Sequence, residues 1–138
     1  MGLFDGLFKK KSGGDALESL KTKFDENPKD GKLAQDIAGQ LKAKGDLPGA
    51  VEYAVKAAGA FRADGFLQKA IAALRMAEGW NHVTPELLRS LADVHLELKH
   101  KEDARGVLIK LRRLHFEKGN KAELPALDKE LAELGPGR

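Results

Sequence analysis

The sequence predicts an all-α fold of stacked antiparallel helical hairpins, with about seven helices in a right-handed superhelix. Three observations predict it. Apolar residues recur at helical spacing in seven successive stretches, four of them opened by a capping residue and all but the fifth closed by glycine or proline. No stretch alternates with period two over a β-rich composition, so no sheet is expected. Residues 65–77 and 99–111 share one spacing of small and apolar residues: Gly65, Ala70, Leu74 and Ala77 stand 34 before Lys99, Ala104, Leu108 and Leu111. At the same offset Ala58 and Phe61 match Ala92 and His95, and Ala16 matches Ala50. A period near 34 in a helical pattern marks stacked helix–turn–helix units, which usually make binding surfaces.

Each element has its own signals. Residues 1–14 stand apart as a head: Leu3, Phe4, Leu7 and Phe8 precede Lys9, Lys10 and Lys11, and Ser12-Gly13-Gly14 breaks the chain. Asp15 opens the first helix with Glu18 three residues on, in a capping-box arrangement. Leu17, Leu20 and Phe24 form its stripe, and Pro28 ends it. Asp30 opens the second, lined by Leu33, Ala34, Ile37, Ala38 and Leu41 and stopped by Gly45. Asp46 and Pro48 start the third, with Ala50, Ala54, Ala57, Ala58 and Phe61 inward up to Gly65. The fourth presents Leu67, Ala70, Ile71, Leu74 and Ala77 and stops at Gly79. Thr84 and Pro85 begin the fifth, striped by Leu88, Leu91, Ala92, His95 and Leu98. The sixth runs from about Glu102 to Glu117 and buries Ala104, Val107, Leu108, Leu111 and Leu114. The last, from about Ala122 to Leu134, carries Leu127, Leu131 and Leu134. The helical domain is thus 15–134, with 135–138 as a tail.

The segment Gly65-Phe66-Leu67-Gln68-Lys69-Ala70-Ile71-Ala72-Ala73-Leu74 resembles the second-helix half of a tetratricopeptide repeat, and Leu88, Leu91, Ala92 and His95 resemble the first-helix half of the next unit. The resemblance covers roughly residues 15–134 and extends to helical-repeat modules common in bacterial proteins. Ala58 and Ala92 replace the family's usual glycine, and His82 and Phe116 its usual proline; Pro28 alone matches. Ala50 and Ala70 are only 20 apart, so the helix over 47–64 has to close one unit and open the next.

The resemblance implies an adaptor or scaffold that binds a partner peptide or domain on a concave face lined by exposed first-helix positions. These are Lys32, Gln35 and Lys42 on the second helix, Glu52, Lys56 and Arg62 on the third, and Glu86, Arg89, Asp93 and Glu97 on the fifth. The set mixes charge signs, so the character of the ligand is not readable from it.

Composition narrows the classes of function. The chain has 138 residues, 42% hydrophobic and 33% charged, as expected of one soluble domain. It has no cysteine, so neither a disulfide framework nor a thiolate metal site is possible, and a cytoplasmic location fits. No secretory signal and no run of 18 apolar residues is present. His82, His95, His100 and His115 show no familiar metal-ligand motif, and no glycine-rich phosphate loop occurs. The expectation is therefore no enzyme, no cofactor and no metal; His95, on an inner stripe, reads as a core histidine.

Two other features carry signals. Residues 99–121 hold Lys99, Lys101, Arg105, Lys110, Arg112, Arg113, Lys118 and Lys121 against Glu102, Asp103 and Glu117. The readings are a solvated outer face, an acidic partner or, least supported, nucleic acid, which wants more aromatic stacking groups. The head at 1–11 suits a short segment that lies at an anionic inner-membrane surface, packs on the helices or is disordered. Gly6 spoils a myristoylation motif. Trp80, in the longest loop, either packs over a hairpin end or anchors a partner.

Overall fold

The computed structural model describes residues 16–136. Seven α-helices occupy them: α1 (Ala16–Glu26), α2 (Gly31–Ala43), α3 (Leu47–Ala63), α4 (Leu67–Glu78), α5 (Pro85–Glu97), α6 (Lys101–Glu117) and α7 (Leu124–Glu133). There is no strand among the described residues. The capping chemistry read from the sequence is in place. The Asp30 carboxylate accepts from the Leu33 amide, Asp46 from Gly49 and Thr84 from Leu87, at 3.0, 3.0 and 3.1 Å. Asp15 lies outside the described residues. The last helix departs from expectation at its start: Lys121–Glu123 form a 3₁₀ turn before α7. Pro125 in the first α turn has no N–H to give, which suits this position.

Four turns share one construction. The chain leaves α2, α3, α5 and α6 through Gly45, Gly65, Lys99 and Gly119, all left-handed with φ of 64–87°. In each, the amide of the next residue reaches back to a carbonyl in the last turn of the helix: Asp46 to Leu41, Phe66 to Phe61, His100 to His95 and Asn120 to His115, at 2.8–2.9 Å. This arrangement satisfies carbonyls that the helix end would leave orphaned. Three copies use glycine, which adopts positive φ freely; the fourth uses Lys99 at a steric cost.

The turns reveal a longer register than the 34-residue echo. α2 and α5 are both 13 residues long, and Gly31 and Pro85 are 54 apart. α3 and α6 are both 17 residues long, and Leu47 and Lys101 are again 54 apart. Leu67 and Lys121, which open α4 and the 3₁₀ turn before α7, keep that offset. The described residues form two successive three-helix units in this register, preceded by α1. The 34-residue echo is the distance between the turns at Gly65 and Lys99, and the 20-residue spacing is the length of the α3 and α6 segments between turns. α3 packs extensively on both α2 and α4, so the helix over 47–63 does serve two neighbours.

Each helix packs on the next, and α3 also touches α5. The ring of Phe24 on α1 meets Tyr53 on α3 edge-on at 5.8 Å. Ion pairs join α5 to α7 and α4 to α6. The odd-numbered helices thus form one layer, and α4 and α6 lie together in a second, even layer. Between them Ala54, Ala57, Ala58, Ala70 and Ala77 are buried, the small residues that let helices approach closely. Gly31 meets the Phe61 ring so closely that an added Cβ would lie 2.8 Å from it. Ile37, Leu74, Leu87, Leu88, Leu108 and Leu111 fill the larger spaces. Trp80 is half-buried and packs against this core.

Candidate partner-binding face

The N-terminal half of α3 and the start of α5 leave a cleft between them of about 440 Å³. Pro48, Val51 and Val55 supply its apolar wall, and Glu52, Lys56, His82 and Glu86 its polar rim. A second cleft of about 430 Å³ lies on the other side of α3, against the end of α1, lined by Phe24, Pro28, Ala60 and Ala63 with Asp25 and Lys29. Lys56 lines both. Its ammonium stands 4.6 Å from the centre of the Tyr53 ring, a cation–π contact that holds it between the clefts. The spacing that produces this is simple: residues 48, 52, 55 and 56 fall on one helical face.

Further along the same layer the expected groove residues pair with one another. Arg62 on α3 reaches Glu97 through its Nε and Asp93 at 3.9 Å, both on α5. Arg89 on α5 grips Glu130 on α7 with both terminal nitrogens, at 2.7 and 2.9 Å, and Asp93 at 2.6 and 3.1 Å. The Glu130 hydrogen bonds raise the Arg89 pKa further above an already high value, against the opposing effect of burial. Arg62 and Arg89 therefore are not free groove cations: five side chains form a ladder that ties α3, α5 and α7 together. Glu130 carries no signal of this in the sequence, because its partner is 41 residues away.

Lys32, Gln35 and Lys42 lie on α2 and line neither cleft. The structure brings Glu52, Lys56 and Glu86 to one cleft and Arg62, Arg89, Asp93 and Glu97 to one ladder, but does not join the α2 residues to either.

The basic stretch of α6 is largely engaged within the fold. Arg112 donates to Asp128 at 2.6 Å, a hydrogen bond that depresses the pKa of the Asp128 carboxyl. Lys110 pairs with Glu78 at 3.3 Å, and Arg105 donates to the carbonyls of Leu134 and Pro136 at 3.2 and 3.3 Å. Ile109 and Phe116 stay exposed beside Arg113.

His95 is buried at 3% exposure, as a core histidine should be, but its Nδ1 has no hydrogen-bond partner. Burial lowers its pKa and keeps the imidazole neutral.

Leu3, Phe4, Leu7, Phe8 and Lys9–Lys11 lie outside the described residues. Among the described residues no helix is long and apolar enough to cross a membrane. No protein-family profile matches this chain, and a search of curated proteins finds no relative.

Proposed function

We propose that this chain is a tetratricopeptide-like interaction module of the cytoplasm, an adaptor that holds a partner peptide or domain on its odd-helix layer. The observation that carries this reading is the pair of clefts flanking Lys56. Each has apolar walls and a charged rim, and each falls in the size range that accepts a large side chain or a short segment. An apolar anchor would enter the cleft between α3 and α5, while Lys56, Glu52 and Glu86 would read the flanking charges. Selecting a random peptide library on the immobilised chain tests this. Enriched peptides should share an apolar anchor next to a charge, and Lys56→Glu should cost about tenfold or more in their affinity. Arg113→Glu, on the even layer, should leave it unchanged. Peptides that ignore Lys56 and lose binding with Arg113→Glu would move the recognition surface to α6.

The apolar-then-basic head supports a second reading, a peripheral membrane protein anchored by residues 1–11. Flotation with anionic vesicles, with and without residues 1–12, separates the two; equal flotation removes the membrane reading.

A further inference from the structure

We propose that the α5–α6 turn is a transition-metal site, with His95, His100 and Asp103 as ligands for zinc or a similar divalent ion. One ring nitrogen from each histidine and one Asp103 carboxylate oxygen lie within 4.8 Å of one another. The two histidine rings are 5.9 Å apart between centres, and His100 Nδ1 is 3.9 Å from Asp103 Oδ2. His95 is the fixed member. It is 3% exposed, its Nδ1 is an unpartnered polar atom, and it shares the walls of one cavity of about 250 Å³ with Asp103, Glu78 and Glu102. A buried polar atom without a partner is uncommon in a native fold, and a metal ion bound at that nitrogen would satisfy it.

The other two ligands are free to close. Tetrahedral zinc with ligand bonds of about 2.0–2.1 Å sets its donors about 3.3 Å apart. His100 and Asp103 are exposed, so rotation of their side chains covers the difference. His100 occupies the capping position of α6 yet makes no capping hydrogen bond, unlike Asp46 in the matching turn. Its ring is thus not committed to holding the helix end.

The donor set selects the ion. Two imidazoles and one carboxylate suit zinc, cobalt, nickel or copper, whereas calcium and magnesium prefer oxygen ligands throughout. Arg75 and Lys110 also line the cavity with Glu78, Glu102 and Asp103; Lys110 is paired with Glu78 at 3.3 Å and Glu102 with Arg105 at 3.4 Å. Three protein ligands leave a fourth position for water or a donor from a partner. The sequence hides the constellation because a turn, not a helix, brings positions 95, 100 and 103 together.

The test uses the untagged full chain, freed of metal by chelator and titrated separately with Zn²⁺ and Co²⁺ by calorimetry and visible absorption. One equivalent should bind, with a Co²⁺ d–d spectrum of nitrogen and oxygen ligation. His100→Asn and Asp103→Asn, both exposed and checked by circular dichroism for retained helicity, should each weaken binding about tenfold or more. His82→Asn and His115→Asn should leave it unchanged. Co²⁺ should broaden amide resonances around residues 95–103 first. No saturable binding at about 1 mM Zn²⁺, or binding that survives both His100→Asn and Asp103→Asn, would overturn the proposal.

Discussion

Arg89→Glu tests the ladder most directly. Arg89 is about one-third exposed, as are Asp93 and Glu130, so its ion pairs are screened and each contributes at the surface scale. Two carboxylate partners, each held by two nitrogens, give about 1–2 kcal/mol for loss of the guanidinium. The substitution also sets a third carboxylate beside two others. At about 5 Å in a near-aqueous, salt-screened surface this adds about 1 kcal/mol. The expected destabilisation is about 2–3 kcal/mol, smaller in high salt. α7 should suffer most, because Leu127 is its one buried side chain and Glu130 its grip on α5. Urea denaturation measures the total, and amide exchange locates it as lost protection over residues 124–133. Adding Glu130→Arg should recover at least half, since the new guanidinium faces both the introduced glutamate and Asp93. A variant that melts and exchanges like the parent would show that α7 is held by apolar contact alone.

Three further outcomes follow from the packing. Ala70→Leu adds bulk where Ala70 is wholly buried, so it should cost about 1–3 kcal/mol in denaturant titrations; an unchanged midpoint would mean the α3–α4 crossing is loose. Lys99→Gly relieves positive φ in the fourth turn and should stabilise the fold by up to about 1 kcal/mol by thermal melting, whereas a loss would mean the lysine side chain contributes more than its strain costs. With chelator present, stability should fall as pH drops through 6.5, because burial depresses the pKa of His95 and the unfolded chain binds the proton more readily. Arg75 and His100 add to that depression, while Asp103 and Glu78 oppose it. The loss should level off once pH is below the folded value, and His95→Gln should flatten it; an equal slope in the variant would assign the effect elsewhere.

What the sequence shows of this molecule is its local chemistry. Asp30, Asp46 and Thr84 each name a helix start, and the buried alanines name the tight crossings, because capping and apolar spacing act within a few residues. Lys99 is legible as a turn residue only by analogy with Gly65, since lysine carries no turn preference of its own. The 54-residue register shows in apolar character more than in identity: Ile37 faces Leu91 and Ala54 faces Leu108 in the alignment, but Gly39 faces Asp93 and Phe61 faces His115. Helix length and turn geometry preserve what residue identity does not. The site suffers from the same limit. Lys56 and Glu86 are recognisable as exposed positions, but nothing in the sequence shows that Arg89 spends its charge on Glu130 or that His95 lacks a partner.

The doubled three-helix plan has a kinetic consequence. The principal contacts run between helices one or two places apart along the chain, so none must wait for distant ends to meet. Loop-closure entropy is therefore small at each step, and collapse can begin in either triplet and spread to its neighbour. α3 and α6, the two long helices, are the natural seeds, each flanked by a left-handed reversal on both sides. Such a chain should fold fast and lose structure from its C-terminal end inward, as a zipper does, with α2–α3 the last pair to part.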